Sequence, residues 1–178
     1  PAVTTWLYDA ARGWLNRKEY DDGNGTDYTY TPAGRLETRV WDRGLTTTYS
    51  YDAAGRQVLV DYSDDTPDVT TTYYRDGSVA TISDASGTRI YAHNPDGSPD
   101  TVTYDSGDLA GITLDYAHDA LGRSLGYVLD DGTGAIAEAS YSYDNAGRLS
   151  EVDGDGDPQT AGFTYGYAAG RPSLMETV

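Results

Sequence analysis

A short motif recurs along the whole chain, and it constrains the fold more than any other feature. Tyr28-Thr29-Tyr30 is followed by Gly34-Arg35-Leu36. Tyr49-Ser50-Tyr51 runs into Asp52-Ala53-Ala54-Gly55-Arg56, and Tyr141-Ser142-Tyr143 into Asp144-Asn145-Ala146-Gly147-Arg148-Leu149. Weaker copies fill the gaps: Trp6-Leu7-Tyr8-Asp9 before Arg12-Gly13, Thr71-Thr72-Tyr73 before Gly77, and Tyr91-Ala92-His93 before Gly97. Tyr116-Ala117-His118-Asp119 precedes Gly122-Arg123, and Tyr165-Gly166-Tyr167 precedes Gly170-Arg171. The turn glycines at 13, 34, 55, 77, 97, 122, 147 and 170 are 21, 21, 22, 20, 25, 25 and 23 residues apart. A period of this length marks an array of stacked supersecondary units.

Each unit reads as a β-hairpin. Tyr-x-Tyr alternates at the strand period, and Tyr and Thr favour strands. Asp52 or Asp144 opens a type I turn, accepting from the turn's own N–H groups, and Gly55 or Gly147 closes it at positive φ. Thr31-Pro32-Ala33-Gly34 and Asn94-Pro95-Asp96-Gly97 place proline where its fixed φ suits the same turn. Return strands follow near Leu36 to Trp41, Val58 to Tyr62 and Leu125 to Leu129. The reading puts every turn glycine except Gly13, where the Arg-Gly pair is transposed, at positive φ. No stretch carries helical periodicity. Alternation places Tyr28 and Tyr30 on one face and Thr29 on the other, so stacked hairpins carry an aromatic ladder on one side and a hydroxyl band on the other. Cross-strand aromatic pairs are expected to hold that ladder together.

Composition bounds the partners. Leu, Ile, Val and Phe account for only 27 of 178 residues and the net charge is −17, values typical of disorder. The 17 periodic tyrosines overturn that inference. The negative charge argues against nucleic acid and anionic membranes as partners, and no apolar run is long enough to insert in a bilayer. With no cysteine, disulfides, thiolate metal sites and cysteine nucleophiles are excluded.

Residues 1–178 therefore form a single array of about eight hairpins. That makes about 16 strands, and at about 4.8 Å each a flat sheet would be roughly 75 Å wide. Open sheets of that width curl or split. The expected fold is all-β: tandem hairpins in one curved antiparallel sheet, as a spiral shell, tube or filament segment. The array begins and ends inside a repeat, so open edges are expected at both ends. Self-association, or continuation in a longer array, would cover them.

The run from Tyr141 to Leu149 closely resembles the YD repeat of Rhs proteins. That family includes bacterial polymorphic toxins, the cocoon component of insecticidal Tc toxins, bacterial wall-associated proteins and animal teneurins. Its repeat-defining positions are matched here by Tyr28, Tyr30, Gly34, Arg35, Tyr49, Tyr51, Asp52, Gly55, Arg56, Tyr116, Gly122, Arg123, Tyr141, Tyr143, Asp144, Gly147 and Arg148. The resemblance implies hairpins wound into a hollow shell, enclosing a polypeptide cargo in toxins and serving extracellular adhesion in teneurins. It implies no catalysis by the repeats and a secreted or cell-surface bacterial location. The core motif with its aspartyl self-cleavage site and the variable toxic domain of Rhs toxins are both absent from this stretch.

Other chemistry is weaker. His93 and His118 align with the second tyrosine and read as ladder members. The 24 aspartates are mostly turn residues, and no nucleophile–base set stands out. Arg35, Arg56, Arg123, Arg148 and Arg171 are expected to bridge to neighbouring turn aspartates. Asp153, Asp155 and Asp157 are a weak Ca²⁺ candidate because alternating carboxylates suit a hard cation, although Pro158 and Thr164 depart from an EF-hand. Asn24-Gly25-Thr26 matches an N-glycosylation acceptor. The leading expectation is a structural, non-enzymatic array. The alternatives are a carbohydrate- or surface-binding module that uses its tyrosines, and a toxin cocoon segment.

Overall fold

The computed structural model of the chain describes residues 3–154, 162–167 and 175–177. Among them every regular element is a strand, and no helix occurs. Two compact units divide the chain, Pro1–Ala85 and Ser86–Val178. The first carries β1 (Thr4–Tyr8), β2 (Leu15–Tyr20), β3 (Gly25–Tyr30), β4 (Leu36–Trp41), β5 (Thr46–Tyr51), β6 (Gln57–Tyr62), β7 (Val69–Tyr73) and β8 (Val79–Asp84). The second carries β9 (Gly87–His93), β10 (Pro99–Tyr104), β11 (Thr113–His118), β12 (Ser124–Asp130), β13 (Ala135–Tyr143), β14 (Leu149–Gly154), β15 (Phe163–Tyr167) and β16 (Met175–Thr177). Within each unit every strand pairs antiparallel with the next in sequence, so the fold is all-β and built of tandem hairpins.

The turns explain the period. Gly34 N–H donates to the Thr31 carbonyl at 2.9 Å and Thr31 N–H to that of Arg35 at 2.8 Å; Gly55 and Asp52 repeat the pattern at 2.9 Å each. With φ at 80° and 82°, these glycines end a type I turn in the left-handed region. The ladder shifts register just before each turn, between Thr29 and Tyr30 and between Ser50 and Tyr51, which is the bulge this turn produces. Gly77, Gly97, Gly122 and Gly147 follow suit. Gly170 lies outside the described residues.

The first hairpin departs from the sequence reading. Gly13, the one turn glycine excepted from positive φ, has φ 72°. Its N–H reaches the Asp9 carbonyl at 2.8 Å, four residues back rather than three. The loop holds one extra residue instead of a transposed pair. Trp14 consequently stands where other repeats place arginine.

Within each unit a strand touches only its neighbours in sequence. No hydrophobic side chain among the described residues is fully buried; the two buried polar residues are Thr26 and Thr47, at 4% and 2% exposure. Tyr28 and Tyr30 are half-buried and Thr29 is exposed, its hydroxyl 2.7 Å from that of Thr38 across the strand. A sheet without a second layer keeps each face half wet. Tyrosine suits that position because its ring covers neighbours while its hydroxyl finds a partner. Leucine would leave apolar surface in water, which explains why Leu, Ile and Val are so scarce.

Candidate functional site

The repeat-defining residues meet at the seams between hairpins. Asp52 accepts from the Arg56 N–H at 2.9 Å through one carboxylate oxygen and from its Nε at 2.7 Å through the other. The Arg56 guanidinium then lies over the ring of Tyr73, 4.6 Å from the centroid, in the next hairpin. Tyr73 Oη donates back to the carbonyl of Gln57 at 2.8 Å. One cluster thus joins a turn, its return strand and the following repeat.

The second unit repeats the arrangement twice. Asp119 takes the Arg123 N–H and Nε at 2.9 and 2.6 Å, Arg123 lies 4.4 Å over Tyr143, and Tyr143 donates to the Ser124 carbonyl at 2.7 Å. Asp144 takes the Arg148 N–H and Nε at 2.9 and 2.8 Å, Arg148 lies 4.0 Å over Tyr167, and Tyr167 donates to the Leu149 carbonyl at 2.7 Å. Where aspartate is missing, the tyrosine bond persists. Thr31 accepts from the Arg35 N–H at 3.2 Å, Arg35 sits 5.8 Å from the Tyr51 centroid, and Tyr51 donates to Leu36 at 2.7 Å. In the first seam Trp14 replaces the cation, its ring 5.1 Å from that of Tyr30, which donates to Leu15 at 3.0 Å.

Two expectations are corrected here. Arg56, Arg123 and Arg148 bridge to the aspartate of their own turn, not of a neighbouring one, because the tight turn brings positions four apart together. Arg171 lies outside the described residues. Nor is the ladder held chiefly by aromatic pairs across strands: Tyr28 faces Arg39, Tyr49 faces Val60 and Tyr141 faces Val152, with Tyr116 opposite Tyr127 the exception. Stacked cations and tyrosine hydroxyls connect the repeats instead.

The electrostatics follow the geometry. The Arg56 backbone N–H, then its guanidinium, hold the Asp52 carboxyl below its ordinary range. The Arg123 N–H does the same for Asp119, and for Asp144 the Arg148 guanidinium contributes most. Burial raises the hydroxyls of Tyr30 and Tyr51, keeping them protonated as donors.

Sequence reasoning missed what the turn glycines make room for. A Cβ on Gly55 would collide with the Arg35 guanidinium, and one on Gly34 would come within 2.9 Å of the Trp14 ring. It also missed a pairing visible along the chain. Ser78 and Ser98 replace arginine after Gly77 and Gly97, and the second tyrosine of the hairpin after each is replaced by His93 and His118. His93 faces Pro99 and His118 faces Ser124, the register place of the second tyrosine. Nδ1 of His118 is buried without a hydrogen-bond partner among the described residues.

The remaining candidates are dispersed. Asp153 is half-buried in β14 opposite Ser140, while Asp155 and Asp157 lie outside the described residues. Among the described residues no three His, Cys, Asp or Glu side chains are grouped to hold a metal ion. Asn24 sits in an exposed turn, its amide donating to Asp22 at 2.9 Å.

Solved structures share this fold. A crystal structure of TcdB2-TccC3 without its hypervariable C-terminal region superposes with a TM-score of 0.74, at 15% identity over 97% of this chain. A crystal structure of TcdB2-TccC3-Cdc42 superposes with a TM-score of 0.70, at 16% identity over 91%. The chain spans 10% of the length of each. No family model matches the sequence, and no curated protein does.

Proposed function

We propose that this chain is a non-catalytic structural array of YD repeats, a segment of the β-shell of an Rhs- or Tc-type toxin complex that acts outside the producing bacterium. The observation that carries this reading is the fold shared with TcdB2-TccC3 over nearly the whole chain. The seams support it, since each repeat is completed by the next one.

The first strand points the same way. Tyr8 pairs with Leu15 across a bulge, as Tyr30 pairs with Leu36, so it holds a seam position. Yet Tyr8 is 60% exposed, beside Trp6 at 49% and Leu7 at 44%. A second copy docked on this strand would supply a carbonyl and a cation, as Gln57 and Arg56 do for Tyr73. Two copies joined in tandem should melt above a single copy, because neighbour interfaces add to repeat stability. Tyr8→Asp in the second copy should erase the gain. A tandem chain that melts with the single copy overturns the reading.

A further inference from the structure

We infer that the second unit carries a binding site for a guanidinium group at the seam between β10 and β11, where Ser98 stands in the place of the repeat's own arginine. The other seams show which group this place accepts. Arg35, Arg56, Arg123 and Arg148 each follow a turn glycine and lie 5.8, 4.6, 4.4 and 4.0 Å from the ring centre of the second tyrosine of the next hairpin. Ser98 follows Gly97 in the same way, and His118 holds the register place of that tyrosine. A serine is too short to cover the ring. The seam opens instead into a cavity of about 380 Å³. It is lined by Asn94, Ser98 and His118, the three seam positions, and by Asp96, Asp100 and Tyr116.

The charges around this seam are changed in the same sense. Where arginine is present, Asp52, Asp119 or Asp144 balances it from the first turn position. Here that position is Asn94, and carboxylates stand at Asp96 and Asp100 instead. The Ser98 hydroxyl, then its N–H, hold the Asp96 carboxyl below its ordinary range, so it is fully charged at neutral pH. Asp100 sits in the bulge between Pro99 and Thr101, half-buried, and makes no hydrogen bond or ion pair among the described residues. Val58 and Leu125 take the equivalent place, two residues after Arg56 and Arg123. Asp119 also lines the cavity, but both its oxygens accept from Arg123. No arginine or lysine lines it, so two carboxylates and a ring face the space with no cation of the seam between them. A guanidinium fits that set, because it is flat and weakly hydrated, stacks on aromatic faces and forks its N–H groups to carboxylates. An ammonium is compact and strongly hydrated, and it does not stack in this way. The rim is open to solvent at the exposed Pro95 and Asp96. The cavity lies within one unit and does not depend on the shell reading.

The test is titration of the full chain with methylguanidinium at neutral pH and millimolar concentration, followed by amide NMR, with methylammonium as the comparison. Methylguanidinium should shift the amides of Ser98, Asp100 and His118 saturably, and methylammonium should bind about fivefold more weakly or worse. Asp100→Asn should weaken binding about fivefold or more. Ser98→Arg, which restores the residue of the other seams, should abolish it. Both variants should leave the rest of the spectrum unchanged. Asp61→Asn, the same loss of charge in the first unit, should bind as wild type does. An acetyl-Gly-Arg-Gly-amide peptide that binds more tightly than methylguanidinium assigns the site to an arginine side chain of a polypeptide, and equal or weaker binding assigns it to a small guanidinium compound. Should Ser98→Arg misfold, Asp100→Asn alone decides. No saturable shift at these amides, equal binding of methylammonium, or full binding by a folded Asp100→Asn or Ser98→Arg overturns the inference.

Discussion

The guanidinium of Arg56 lies 4.6 Å from the ring centre of Tyr73 while its Nε stays 2.7 Å from Asp52, so one side chain ties its own turn to the next hairpin. Seams of this kind stand in place of a closed apolar core, of which the described residues show none. Stability should therefore be sensitive to seam residues even though they are only half-buried.

Arg56 and Tyr73 should be energetically coupled. A double-mutant cycle with Arg56→Gln and Tyr73→Leu should return about 0.5–1 kcal/mol in urea unfolding, the usual size of an exposed cation–π contact. Tyr73→Phe, which keeps the ring and removes the donor to Gln57, should cost about 0.5–1.5 kcal/mol. Additivity within error would show that the stacking contributes nothing.

Turn glycines should differ in sensitivity. Gly77 has open space around its missing side chain, whereas Gly55 has the Arg35 guanidinium against it. Gly77→Val should cost roughly 1–2 kcal/mol from the left-handed backbone alone. Gly55→Val should cost more, because Arg35 must also move. Equal losses in thermal unfolding would mean that Arg35 relocates freely.

Acid should weaken the seams with a definite sign. The carboxyls of Asp52, Asp119 and Asp144 are held below their ordinary value in the folded chain. Their stabilisation is therefore complete above the unfolded aspartate pKa, about 3.9, and is lost as pH falls through the lower folded values. Protonating the other aspartates relieves repulsion and acts in the opposite direction. The comparison to make is thus wild type against Asp144→Asn, in melting temperature from neutral pH to pH 2. The variant should be less stable at neutral pH and converge on wild type in acid. A constant gap at every pH would place the role of Asp144 outside its charge.

Two positions on the face opposite the tyrosines should tolerate change differently. Thr29→Val keeps the β-branch and removes an exposed hydroxyl pair, so it should stay within about 0.5 kcal/mol of wild type. Gly126 is buried in β12 at φ 128°, and a Cβ there would strike the Ala139 carbonyl of the adjacent strand. Gly126→Ala should cost about 1–3 kcal/mol or more. Chemical denaturation of both variants checks the contrast; equal effects would mean that the β12 backbone yields at Gly126.

Much of the fold was legible in the sequence because its determinants are local. A turn such as Asp52 to Arg56 needs an acceptor at its first position and a glycine at its fourth, and both are fixed chemical demands on neighbouring residues. Alternation likewise sorted Tyr28 and Tyr30 from Thr29. Local reading failed at Gly13, where an inserted residue looked like a transposition. The chain alone does not show which backbone carbonyl a loop reaches.

What only the tertiary structure decided lies between repeats. Whether Arg56 reaches its own Asp52 or a neighbour's, and that it then covers Tyr73, depends on the register and twist of strands far apart in sequence. So does the crowding of Gly55 by Arg35, and so does the meeting of Asn94, Ser98 and His118 around one cavity. Periodicity states that such residues recur. Their distances are set by the pairing of adjacent hairpins, where a one-residue shift in register would turn every side chain to the other face.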